Sequence, residues 1–482
     1  VSSKKQWMGL KAFFTTLALL GLASNAQAFC GYFVAKAGSD LFNQASRVVL
    51  VRDGSKTVIT MANDFEGDAS KFAMVVPVPT VLEKEQINVG ENAWVDRIDA
   101  FTAPRLAEYF DPNPCDTRFY MMERSAAMPK ATTSRARNKG ASAKSLGVRI
   151  EAEYAVGEYD ILILSAEQSD GLQTWLKQND YKIPRKATRI LRSYIKMGMK
   201  FFVAKINLER QEKDGRQMLR PLQIAYDSKR FMLPIRLGTL NAKSHQDLFV
   251  YAITKKGRVE STNYQNTRIP TGQEIPVFVK DDFANFYRAM FDKQVKKDNM
   301  KTVITEYAWN MNWCDPCAAD PLTNNELRQL GVFWVGDAGK ANPLKLKSRS
   351  GLGLVNPKRR PRVPRPFSGG QAKEAFVTRM HVRYTAKKFP EDLFFQVTSD
   401  AKNFQGRYVL RHPFRGETQC ELAQQYRQRT VKAQEERVQA LANLTGWKPS
   451  ELRKKVDWLG DGPAKDKKLP PSNKTRWWQN IW

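Results

Sequence analysis

Cys314 and Cys317, two residues apart in the stretch NWCDPCAADPL, are the side chains of this sequence whose spacing most directly suggests chemistry. With Trp313 before them and Pro316 between them, they match the local pattern of a thioredoxin-type redox site. There a thiolate stabilised at a helix N-terminus attacks a disulfide, and the second cysteine resolves the mixed disulfide. Such chemistry needs a helix that runs on through Cys317. The residues that follow do not favour one. Pro321 lacks the N–H a continuing helix would use, and Thr323-x-x-Glu326 reads as a capping box for a fresh helix over NNELRQLG. A redox fold of this kind also brings a proline to the motif from a later strand, whereas Pro357 to Pro366 lie in an Arg-rich segment without strand character. The primary reading is therefore a structural bridge, either within the pair or from one of them to Cys420. The rival is a thiol–disulfide oxidoreductase with Cys314 attacking and Cys317 resolving. Only Cys420 and three histidines, His245, His381 and His412, remain as further ligands, none at zinc-site spacing, so no metal is expected.

What a cysteine can do depends on its compartment. The first residues hold Lys4, Lys5 and Lys11, an apolar run from Ala12 to Ala23, and a small-x-small sequence at Ala26-Gln27-Ala28. These are the parts of a cleavable secretory signal, with an apolar run too short to span a bilayer. The sequence predicts cleavage near Ala28/Phe29, a periplasmic or secreted destination and no transmembrane span afterwards. In an oxidising compartment disulfides are the default. All five cysteines, Cys30, Cys115, Cys314, Cys317 and Cys420, are disulfide candidates, and an odd count leaves one over. A second staple is expected from Cys30 to Cys115, closing a loop that would contribute about 4 kcal/mol in the chain-entropy model.

The formal charge of the 482 residues is +29, and loss of the three leader lysines leaves +26. So strong a positive field gathers anions. Outside the cytoplasm these are anionic polymers and lipid headgroups of the cell envelope, so nucleic acid is not the expected partner. The stretch from Lys340 to Lys388 holds fourteen Lys and Arg against one acid, Glu374. Within it Lys358, Arg359, Arg360, Arg362 and Arg365 are anion-binding candidates, since guanidinium groups pair phosphates and carboxylates in a bidentate fashion. The plain alternative is a solvated loop that keeps the protein soluble. At the end of the chain, Trp477, Trp478 and Trp482 beside Lys474 and Arg476 suit either a membrane interface or docking onto the body of the protein.

The elements that must position these groups form a mixed pattern. SRVVLVRDG and SKTVITMAND are β-branched runs joined around Asp53-Gly54, a hairpin signal, and a second hairpin is predicted around Gly157. KFAMVVPVPTVL is apolar, with Pro77 and Pro79 placing it at a sheet edge or end. ENAWVDRIDAFTAPRLAEYF reads as one or two short helices broken at Pro104, and PRKATRILRSYIKMG and DFANFYRAMFDKQVKK as further helices. KFFVAKINL, PLQIAYDS, DLFVYAITKKGRVEST, IPVFVK, KTVITEYAWN, AFVTRMHVRYTA, LFFQVTS and GRYVLRHPF read as strands. A long amphipathic helix follows from GETQCELAQQYR onward and ends at Gly446. No βαβ alternation appears, so the expected class is α+β, with mainly antiparallel sheets and flanking helices. The organisation predicted is a signal peptide over 1–28, a β-rich region over 29–116, a flexible Ser/Ala/basic loop over 117–147 and a central α+β region over 148–338. A basic Pro/Arg-rich linker over 339–373, strands plus the long helix over 374–446 and a basic Trp-rich tail over 447–482 complete it.

Read in order, FCGYFVAKA, LFNQASRVVLVRDG, FAMVVPVPTVL, APRLAEYFDPNPC, GLQTWLKQNDYKIP, GMKFFVAKINL and WCDPCAADPL resemble a family of exported bacterial proteins catalogued as a conserved domain of unknown function. The likeness covers about 29–447. It implies a bacterial envelope protein and carries no catalytic residues with it. The sequence has no P-loop, nucleophile elbow, dinucleotide-binding glycine pattern or His-Glu-x-x-His. Together these point to a disulfide-stapled envelope protein, without cofactor, that acts by binding anionic material or a partner protein rather than by catalysis.

Overall fold

The computed structural model describes residues 32–35, 45–63, 72–116, 149–165, 175, 176, 178, 185–207, 219–240, 244–313, 321–335 and 374–460. The first third contains strands β1 (Tyr32–Ala35), β2 (Ala45–Asp53), β3 (Lys56–Asn63), β4 (Phe72–Val78) and β5 (Ile87–Val89), helix α1 (Asn92–Thr102) and strand β6 (Arg105–Phe110). The middle holds β7 (Arg149–Val156), β8 (Tyr159–Ser165), α2 (Arg185–Lys196), β9 (Lys200–Ile206), β10 (Leu222–Asp227), β11 (Met232–Leu233) and β12 (Gln246–Thr254). Next come β13 (Val259–Ser261), β14 (Gln265–Arg268), β15 (Gln273–Ile275), α3 (Phe283–Lys297), β16 (Thr302–Asn310) and α4 (Asn324–Gln329). Last are β17 (Phe376–Tyr384), β18 (Leu393–Val397), β19 (Phe404–Gln405), β20 (Arg407–His412), α5 (Glu421–Thr445) and α6 (Pro449–Arg453).

Two large sheets carry the architecture. Nine strands run β14-β16-β17-β12-β2-β3-β10-β5, with β19 beside β16, and five run β1-β4-β9-β8-β7. Most pairings are antiparallel, and β12 joins β2 in parallel, so the α+β expectation holds. Both faces of β2 are buried. Val48 and Leu50 point into the layer shared with the five-stranded sheet, alongside Ile161 and Phe202. Val49 and Val51 face α1, through Val95, Ile98 and Phe101. Helix α2 covers the outer face of the smaller sheet with Leu191 and Tyr194. A small sheet of β15, β20 and β6 packs with α3 and α5 around Phe286, Tyr408, Val438 and Leu441.

The hairpin turns fall where the sequence places them. Gly54 takes φ +58°, a conformation glycine reaches without a Cβ penalty. Gly446 closes α5 at φ +81°, its N–H donating to the Ala442 carbonyl. The strand with Pro77 is an inner strand, but β1 pairs only with its first half, so Pro77 removes no donor from that neighbour.

Two readings are corrected. Pro104 does end α1, but residues 105–110 form strand β6, because their backbone pairs in parallel with β20. IPVFVK is strand only at Ile275, the end of β15: Val277–Asp282 is a 3-10 turn leading into α3, with Pro276 at its start and Val279 buried beneath it.

Candidate functional site

Two groups of ionisable side chains stand out, one sealed and one open. The sealed one follows from the alternation in β17, where Val377, Arg379, His381 and Arg383 share one face. In register across β12, Arg383 lies opposite Asp247, His381 opposite Phe249 and Arg379 opposite Tyr251. On the other side β16 carries a bulge between Thr305 and Tyr307, so Glu306 is the extra residue there. A bulge re-aims a side chain, and the Glu306 carboxylate meets both Arg379 and His381. Arg379 Nε donates to Glu306 Oε2 at 2.7 Å, and its Nη1 donates to Asp99 Oδ1 of α1 at 2.6 Å. His381 Nδ1 lies 3.1 Å from Glu306 Oε1 and 2.9 Å from the Tyr287 hydroxyl of α3, which itself donates to Glu306. His381 Nε2 faces Asp247 Oδ1 at 3.6 Å, an ion-pair contact rather than a hydrogen bond. Arg383 holds both Asp247 oxygens at 2.7 Å.

Burial by itself would lower the basicity of His381, but Asp247 and Glu306 on either side outweigh it and raise its pKa. Burial would likewise raise Glu306, yet Arg379 and His381 lower it to about 2. The imidazole is stacked between Phe249, at 4.0 Å, and Phe291, at 3.6 Å, and is 3% exposed. No substrate reaches it without opening the helices above. The cluster is thus a sealed, charge-paired structural network. His381, one of the three histidines without zinc-site spacing, is placed between Glu306, Asp247 and two aromatic rings.

The open group lies where the small sheet meets α5 and α6. A cleft of ≈ 420 Å³ is lined by Arg411, Arg415, Arg437 and Lys455, with Asp457 as its lining carboxylate. Strand β20 supplies Arg411, and α5 supplies Arg437 one layer behind it. Both hold Glu274 of β15, through Arg411 Nε at 3.1 Å and Arg437 Nε at 2.9 Å. Burial would raise Glu274; these hydrogen bonds lower it below the ordinary carboxylate range. Arg411 also reaches Asp111 at 3.4 Å, and Arg415 pairs with Asp457 at 2.7 Å. Lys455 lies over the Phe278 ring at 5.8 Å. At the mouth Phe110 stacks on His412 with centroids 4.4 Å apart.

One wall of the cleft is fixed covalently. Cys115, just past β6, is bonded to Cys420, the N-cap of α5, across a sequence separation of 305. Tyr426 of α5 donates to Asp111 Oδ2 at 2.8 Å beside it. This pairing overturns the expected Cys30–Cys115 staple and removes Cys420 as a partner for Cys314 or Cys317. The spacing of cysteines along the chain could not reveal it, because β6 and β20 become neighbours only through the parallel pairing.

The remaining sequence candidates fall elsewhere. Cys30, Cys314, Cys317, the cations Lys358, Arg359, Arg360, Arg362 and Arg365, and Trp477, Trp478 and Trp482 lie outside the described residues, as do the leader and the 117–147 loop. On either side of the Cys-x-x-Cys motif, Trp313 is 67% exposed and Thr323 caps α4. Thr323 Oγ1 accepts from the Glu326 N–H while Glu326 accepts from the Thr323 N–H, the predicted capping box. Helix α4 therefore begins at Asn324, separate from the motif. Among the described residues no helix is long and apolar enough to cross a membrane, and no group of His, Cys, Asp and Glu is arranged to hold a metal.

Sequence reasoning missed the cleft cations, although VLRHPFR and QEERVQ show them. Arginines in a strand end and a helix carry no spacing rule that brings them together. For the sealed cluster a signal did exist: a lone glutamate in the apolar run TVITEYAW, and basic residues at every second position of RMHVRY. No curated protein and no solved structure matches the chain. A family model described as an uncharacterized protein conserved in bacteria, DUF2330, matches residues 24–396, ending before β20 and α5 complete the cleft. The chain belongs to that bacterial family.

Proposed function

We propose that this protein is an exported envelope protein that binds anionic material in the cleft between β20, α5 and α6, and does not act as a catalyst. The observation that carries this is the lining: Arg411, Arg415, Arg437 and Lys455 against the single carboxylate of Asp457. Arg411, already oriented by Glu274 and Asp111, presents a fixed guanidinium, which lowers the ordering cost of gripping a carboxylate or phosphate. The charge of +29 adds a long-range field that draws anions towards the surface. Export is supported by the leader-like first residues and fits the Cys115–Cys420 bond, which needs an oxidising compartment. The Lys358 to Arg365 run would supply a second grip of the same kind.

The test is equilibrium binding of labelled linear polyphosphate and of an oligouronate, at low salt and at about 0.3 M salt, where the Debye length is below roughly 10 Å. Affinity should fall with salt, and fall further in the Arg415→Ala/Lys455→Ala double variant. Salt-independent binding, no binding of either probe, or an unchanged double variant overturns the proposal.

A further inference from the structure

Phe110 gives the cleft a feature that charge alone does not require. It ends β6 directly opposite His412, and the two rings lie nearly parallel at 11°. His412 is fixed in turn, with Nε2 2.9 Å from Glu108 Oε2, and Glu108 is held by Lys280 Nζ at 2.9 Å. With one face against the imidazole, Phe110 is still 71% exposed. Single exposed apolar residues are ordinary. A phenyl ring stacked on one face at a cation-lined cleft is a flat platform whose free face is costly to hydrate and available to a ligand ring. In the same lining, Asp457 is 84% exposed on its side chain, with one oxygen on Arg415, and can accept from hydroxyl donors.

The geometry points to an acidic saccharide as the ligand class of this cleft: a sugar ring with its C–H face on Phe110, its carboxylate on the guanidinium groups and a hydroxyl donating to Asp457. The inference rests on the anion-binding reading and adds the ring. A bare polyanion offers no apolar face for Phe110 and no hydroxyl for Asp457, so it would use only the cations. The cleft volume of ≈ 420 Å³ is within the range of small-molecule sites.

The experiment compares an oligogalacturonate, the same oligosaccharide with its carboxyls reduced to alcohols, and linear polyphosphate, by titration calorimetry on the whole protein. Wild type should bind the oligouronate at least about tenfold more tightly than its reduced form, a factor equal to roughly 1.4 kcal/mol. Phe110→Ala should lose about tenfold for the oligouronate and stay within about twofold for polyphosphate, while Phe110→Trp retains both. Because Phe110 is exposed, unchanged melting should show that the variants fold. Oligouronate binding without any polyphosphate binding also supports the ring requirement. Equal losses for both probes, or no loss on Phe110→Ala, overturn the saccharide assignment. Polyphosphate binding without oligouronate binding overturns it too, while leaving the anion cleft standing. Binding of neither probe removes the anion cleft itself.

Discussion

Glu306 and Glu274 make the same local arrangement, a carboxylate shared by two basic side chains, and the two sites use it for different ends. Glu306 is fully buried between Arg379 and His381, with aromatic rings closing the sides. Glu274 is 37% exposed, and the guanidinium groups it orients, those of Arg411 and Arg437, border a cleft. In the first case the charges face one another inside the protein and serve to set strand register and helix placement. In the second the carboxylate holds Arg411, 38% exposed on its side chain, against the buried Arg437 behind it. Shifted acidities mark both places, so a shift alone does not identify a binding site; access does.

Breaking the sealed site should cost most. Glu306→Ala leaves Arg379 buried without its main partner, and loss of one member of such a pair is worth about 3–5 kcal/mol. Urea unfolding measures this, and a loss below about 1 kcal/mol would mean that the cluster is wetter than its burial indicates. Next comes the covalent tie beside the cleft, between the end of β6 and the start of α5. Cys115→Ser/Cys420→Ser should lower stability by about 2–5 kcal/mol and weaken anion binding with it, because Asp111 and Arg411 lose their fixed wall. Stability that falls while affinity holds would detach the bridge from the cleft.

His381 sharpens the contrast through pH. Its folded-state pKa is raised above the ordinary 6.5, so its contribution is fully present below that value and is lost as pH rises through the folded pKa. Glu306, lowered from 4.5 to about 2, contributes above 4.5, and this is lost as pH falls towards 2. Stability should therefore be greatest between about pH 4.5 and 6.5 as far as this cluster decides it. His381→Phe, which keeps the stack between Phe249 and Phe291, should cost about 1–3 kcal/mol and remove the decline on the alkaline side. A decline that persists in this variant belongs to other groups. The smallest effect on stability is expected at the open site. Arg415→Ala should change it by less than about 1 kcal/mol, as exposed pairs do, while lowering anion affinity.

The fold was legible in the sequence where the signals are local. The β-branched runs of β2 and β3, glycines at the turns, the Thr323–Glu326 box and Gly446 after the long helix each act within a few residues. Strand β6 was not legible, because Arg105 to Phe110 is extended only by virtue of β20, three hundred residues later. The same long-range pairing hid the Cys115–Cys420 bond and the cleft beside it. The Glu306–His381 contact was half legible: composition marked both strands as odd, but the bulge that joins the side chains is a tertiary event.

The order of the cysteines along the chain has a consequence for synthesis. A polypeptide made from its N-terminus presents Cys115 while Cys420 is still unmade, and Cys30, Cys314 and Cys317 all become available sooner. Sulfur chemistry left to first encounters would join the wrong partners. On the proposed export, correct maturation depends on keeping Cys115 reduced until the start of α5 arrives, or on exchange that corrects an early mistake, and a cell lacking a disulfide isomerase should accumulate the misjoined form.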